Sequence, residues 1–150
     1  LSIVVNPGND WADKLSIDDL KEIYLEGGKA EKWSDLNPAW PDQPIKVYSP
    51  GTDSGTFDYF KEVVVPEDRS LRATMSTSED EYSIGYFGAS YYYENKAKLK
   101  AVPIVNPGTG EAVLPEPTHV INGDYAPLSR PLFIYINTNS LRRPEVRKFV

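Results

Sequence analysis

Ser49-Pro50-Gly51-Thr52-Asp53-Ser54-Gly55-Thr56 is the stretch on which the reading of this chain turns. Just before it, Ile45 to Tyr48 reads as a strand, and just after it Phe57, Phe60 and Val64 recur at helical spacing. The segment is therefore strand, glycine-containing loop and helix. A helix start leaves several backbone N–H groups without intrahelical partners and carries partial positive charge. Gly55 lets the backbone approach a ligand closely and permits unusual dihedrals, and Ser54 and Thr56 place hydroxyl donors beside those amides. Such a cup suits a tetrahedral oxyanion.

Asp53 would repel an anion unless the ligand carries a proton. A carboxylate only accepts hydrogen bonds, so Asp53 would accept from the P–OH of hydrogenphosphate. Sulfate has no such proton near neutral pH and would leave the carboxylate unpaired against like charge. The same residue types also make ordinary turns and helix caps, and the loop alone leaves both readings open. Asp53-Ser54-Gly55-Thr56 also spells the active-site tetrad of aspartic peptidases, whose paired aspartates share a proton. Only one copy is present, so that chemistry would need a dimer, and the residues that follow read as helix.

Working outward, Leu1 to Val5 is a short apolar run closed by Asn6-Pro7-Gly8-Asn9, a buried strand and a turn. Ser16 and Asp19 have capping-box spacing ahead of a helical face of Leu20, Ile23 and Tyr24, which Gly27-Gly28 ends. The proline-rich stretch from Glu31 to Pro44 contains Trp33 and Trp40 and reads as an ordered loop packed by indole rings. Ser78-Glu79-Asp80-Glu81 reads as a helix start, Ile84 to Gly88 as a strand, Ala89 to Asn95 as helix and Lys100 to Val105 as a strand. Pro131 to Ile136 is a strongly apolar strand, followed by a helix after Asn139 or Ser140. There Val146, Phe149 and Val150 have the spacing of a buried stripe. The alternation predicts an α/β domain with a mostly parallel or mixed central sheet flanked by helices.

The 150 residues suffice for one domain with a core, and the 40% hydrophobic and 25% charged content is that of a globular protein. No apolar run approaches the ~18 residues that span a bilayer. A net charge of −6 without a basic patch argues against nucleic acid as a partner. The absence of cysteine removes disulfides, thiolate metal sites and cysteine nucleophiles. His119 is the single histidine and has no nucleophile motif beside it, so it reads as a surface or half-buried residue. No cofactor or metal is expected. The first residue is not methionine and a helical pattern still runs at Val150, so the sequence reads as a piece of a longer chain.

Five segments together resemble the phosphate-binding proteins of Pst-type ABC transporters: Leu1 to Pro7, Pro50 to Phe60, Thr77 to Asp80, Ile84 to Gly88 with Tyr92 to Asn95, and Leu128 to Tyr135. The resemblance implies a two-lobed receptor of the type II periplasmic-binding-protein fold, in which phosphate is held between the lobes without being chemically changed. Residues 1–150 would be the inserted lobe, with 1–6 and 130–137 as paired crossover strands at the hinge. The first lobe of the same protein and an ABC permease would be its partners. The location would be periplasmic or at the cell surface, with or without a lipid anchor. The site carried over is Thr52, Asp53, Ser54, Gly55 and Thr56. The better-known family pattern has an arginine four residues before the loop serine, where this chain has Pro50. Arg72 is the expected replacement cation. Between Asp80 and Ile84 the chain is shorter than the valine-rich helix usual in the family. A non-binding structural or interaction module built on the same fold is the alternative to a receptor.

Overall fold

Three of the first five residues, Ile3, Val4 and Val5, are β-branched, and Ser2–Val5 (β1) forms a strand buried along its whole length. The computed structural model describes residues 1–66, 68–72, 80–131 and 133–149. β1 lies between Ser83–Phe87 (β3) and Lys100–Ala101 (β4), antiparallel to both, and Lys46–Tyr48 (β2) runs parallel to β3. The sheet order is β2-β3-β1-β4, so the sheet is mixed, with one parallel pair among the described strands. Alternation along the strands sends Ile3, Val5, Val47, Ile84 and Tyr86 into one apolar core.

Two helices cover that face. Ile17–Tyr24 (α1) begins with the expected capping box: Ser16 Oγ accepts from the Asp19 N–H at 3.1 Å, and Asp19 Oδ2 accepts from the Ser16 N–H at 2.8 Å. Leu20, Ile23 and Tyr24 are its buried stripe. Beyond its end Gly27 has φ +78°, and a Cβ on Gly28 would stand 2.2 Å from the Glu22 carbonyl oxygen, so only glycine fits there. Gly55–Val64 (α3) buries Phe60 and Val64. The Phe60 ring stacks on Tyr86 with centroids 3.8 Å apart and meets Tyr24 edge-on at 4.7 Å. This aromatic cluster joins α3 to β3 and α1, and burying a ring of that size contributes about 2–3 kcal/mol. It is what fixes the head of α3 relative to the sheet.

The tryptophan-rich stretch is ordered as expected. Trp33 opens Trp33–Leu36 (α2), is fully buried, and donates Nε1–H to the Tyr82 carbonyl at 3.1 Å, with Trp11 and Trp40 packed edge-on against it. Ala89–Glu94 (α4) follows β3 directly. Ile104–Val105 (β5) pairs with Ala112–Val113 (β6), and Pro117–Asn122 (α5) follows. No helix among the described residues is long and apolar enough to cross a membrane.

Four expectations need correction. The strand expected over Lys100 to Val105 is two short strands in different sheets, because Pro103 has no N–H to continue a ladder. No strand is formed by 133–137, where Phe133, Ile134 and Tyr135 are 70%, 71% and 90% exposed. The pairing expected between that segment and β1 is absent among the described residues, since both edges of β1 are already taken by β3 and β4. The last helix exists as Pro144–Phe149 (α5's successor, α6), after a 3₁₀ turn at Ser140–Arg142, but Phe149 is 79% exposed rather than part of a buried stripe. Val150 lies outside the described residues, as do Ser78 and Glu79 of the expected helix start, while Glu81 lies in a turn.

Candidate functional site

The loop after β2 enters α3 as the strand–loop–helix reading requires. Ser54 is the N-cap, its Oγ accepting from the Thr56 N–H at 3.2 Å, and its own N–H donates to the Gly51 carbonyl at 3.0 Å. Gly55 does not use the unusual dihedrals open to glycine: among the described residues positive φ occurs at Gly27, Gly110 and Gly123. Its use is openness. A Cβ there would meet only the Arg130 Nη2 atom at 3.8 Å, so the bare backbone faces free space.

That space is a pocket of about 400 Å³. Gly55, Thr56 and Tyr59 of α3 form one wall, Gly88, Ala89 and Ser90 at the start of α4 another, and Ser129-Arg130 closes it. Gly88 lies close to Thr56, since a Cβ on it would stand 4.0 Å from Thr56 Oγ1. The starts of two helices therefore face one cavity. Hydroxyls, bare backbone and a guanidinium line it together with the apolar side chains of Leu1, Ala89 and Val120.

The expected site residues divide. Gly55 and Thr56 line the pocket, and Ser54 caps the helix that forms its wall. Thr52 and Asp53 stand exposed on the loop outside the lining, with the Thr52 hydroxyl donating to Asp53 Oδ1 at 3.2 Å. Arg72 is not brought to the loop. Its guanidinium donates to the carbonyls of Gly28 at 3.0 Å, Ala30 at 3.1 Å and Glu22 at 3.5 Å, and its N–H donates to Tyr24 O at 2.7 Å. Carbonyls left over at and beyond the end of α1 have taken its donors, so it acts as a structural staple.

Sequence reasoning missed Tyr59 and Arg130. Tyr59 follows Gly55 by four residues, which puts both on one helical face. Its hydroxyl reaches the carbonyl oxygens of Pro127 at 2.6 Å and Ser129 at 3.0 Å. Burial raises its pKa, with Arg130 pulling the other way and Glu62 adding to the rise, so the phenol keeps the proton it donates. The Arg130 guanidinium lies over the Tyr59 ring, 4.4 Å from its centroid. The signal was present in the resemblance, since Arg130 stands inside the Leu128 to Tyr135 segment.

His119 is half-buried in α5 with Nδ1 3.2 Å from the Leu114 carbonyl oxygen, and no cluster of metal-ligating side chains occurs among the described residues.

The family model described as the PBP superfamily domain matches residues 1–150. The chain belongs to the PBP superfamily. This PBP domain is 43% identical to Protein SphX from Synechocystis over 164 residues, covering 100% of this chain and 48% of that protein. It is 41% identical over 151 residues to the phosphate-binding protein PstS of Staphylococcus saprophyticus, covering 95% of this chain and 46% of the relative. The crystal structure of a possible phosphate binding protein from Planctomyces limnophilus superposes with a TM-score of 0.82 at 39% identity, over 99% of this chain and 56% of that one. The resemblance to phosphate-binding proteins read from the sequence is borne out. The PBP domain spans about half the length of the curated relatives it matches.

Proposed function

We propose that this PBP domain is one lobe of a receptor that binds inorganic phosphate as hydrogenphosphate for an ABC-type uptake system, without catalysing a reaction. The observation that carries the reading is the head of α3, where bare Gly55 backbone and the Thr56 hydroxyl open on a pocket beside Arg130. Amides, hydroxyls and a guanidinium are the donors a tetrahedral oxyanion takes. The similarity to proteins named for phosphate binding supports the same ligand.

In this account Thr52, Asp53, Ser54, Gly55 and Thr56 form the loop's half of the site. Asp53 is its one carboxylate and selects a protonated ligand, while the first lobe of the same protein supplies the opposing half and excludes water. Arg72 drops out of the ligand set on the strength of its backbone partners. Residues 1–6 and 130–137 act as the connections between lobes, and the receptor works outside the cytoplasm, in the periplasm or at the cell surface, delivering phosphate to a Pst-type permease.

Thermal and chemical unfolding of the complete chain containing this sequence tests the reading. Phosphate at 100 times its Kd should stabilise the protein by about 2.7 kcal/mol, with no effect from sulfate at the same concentration. Absence of any phosphate-induced stabilisation refutes it.

A further inference from the structure

We propose that Arg130 is the cation of the phosphate site, supplying from 75 residues beyond Gly55 in the chain the positive charge that the loop itself lacks; the assignment rests on the phosphate reading above. The loop from Ser49 to Thr56 holds one charged side chain, and it is acidic. Amides and hydroxyls alone would have to balance both Asp53 and the ligand. Arg130 stands where a compensating charge is needed: it lines the same pocket as Gly55, Thr56 and Ser90, and its Nη2 lies 3.3 Å from the Gly55 carbonyl oxygen.

Three features make it suited to hold an anion. Its face rests on the Tyr59 ring at 4.4 Å, which restrains the plane of the guanidinium without using its N–H donors. The ring is itself anchored, because the Tyr59 hydroxyl binds the Pro127 and Ser129 carbonyls immediately before Arg130 in the chain. One side chain of α3 thus pins both the segment and the cation to the helix whose start faces the ligand. Finally, a guanidinium has five N–H donors, and among the described residues Gly55 O takes one through a long contact. A phosphate can receive two from the remaining edge in parallel. Arg72 shows the opposite arrangement, with its guanidinium held by three carbonyls.

The test titrates phosphate into the complete chain by calorimetry at two ionic strengths, with Arg130→Gln, Arg130→Lys and Ser54→Ala beside the wild type. Arg130→Gln should raise Kd roughly 10- to 100-fold and flatten its dependence on salt, with Arg130→Lys intermediate because a point charge cannot form the paired contact. If Arg130→Gln keeps wild-type affinity while Ser54→Ala weakens binding, the assignment is overturned and the phosphate reading stands. If Arg130→Gln weakens binding without changing the salt dependence, Arg130 is a structural residue and the assignment again falls. A wild-type protein that binds no phosphate overturns the phosphate reading and the assignment with it.

Discussion

Ser54 can be a plain helix cap or a cap that also holds an anion, and a comparison with Ser16 separates the two. Both serines open helices through Oγ. Ser16 does so in a reciprocal box, accepting from Asp19 N–H at 3.1 Å while Asp19 Oδ2 accepts back at 2.8 Å. Ser54 accepts a single, longer contact from Thr56 N–H at 3.2 Å with no reciprocal partner. Ser16→Ala should therefore cost more stability, about 1–2 kcal/mol, and Ser54→Ala about 0.5–1 kcal/mol, read by urea unfolding without ligand. Phosphate binding should rank them the other way. A hydroxyl that accepts from Thr56 still has its own proton to donate, so Ser54→Ala should weaken phosphate by roughly 1–3 kcal/mol in calorimetry, and Ser16→Ala should leave affinity unchanged. Equal phosphate affinity in Ser54→Ala and wild type would show that the hydroxyl only caps α3, and the role given to it would be wrong.

Arg72→Ala should destabilise the protein by about 2 kcal/mol, because three backbone carbonyls lose a charged donor, and phosphate affinity in the same variant should not change. Gly28→Ala should cost more than about 2 kcal/mol in urea unfolding, since its Cβ would overlap the Glu22 carbonyl oxygen at 2.2 Å. The Asp80 carboxyl is held below its ordinary range by the hydrogen bond from Lys46 and then by the Tyr82 N–H. A depressed folded pKa means that this pair stabilises the protein above the ordinary aspartate range and loses its effect as pH falls through the folded value. Stability measured down an acid series should show that loss, and Lys46→Met should diminish it.

What was legible in the sequence was what depends on neighbours in the chain. The caps at Ser16 and Ser54, the stripes of Leu20, Ile23 and Tyr24 and of Phe60 and Val64, and the strand-to-helix loop all rest on contacts a few residues long. The surroundings of the two arginines were not legible because their partners are remote: Arg72 meets Gly28 across 44 residues, and Arg130 meets Gly55 across 75. No periodicity carries that information. Pro131 to Ile136 failed for a related reason. An apolar run states that burial is favourable but not which edge is vacant, and β1 has no vacant edge. The close backbone approach that Gly55 allows was foreseen, and the helix capped by Ser54 begins at Gly55 without a positive φ.

The central claim is that the head of α3 is half of a site for a protonated tetrahedral oxyanion. Competitive calorimetry of phosphate and sulfate on the complete chain, wild type beside Asp53→Asn, tests it most directly. The account predicts strong preference for phosphate in the wild type and a reduced preference in Asp53→Asn, because the amide can donate to an oxyanion that carries no proton. Equal affinity of the wild type for phosphate and sulfate would contradict it.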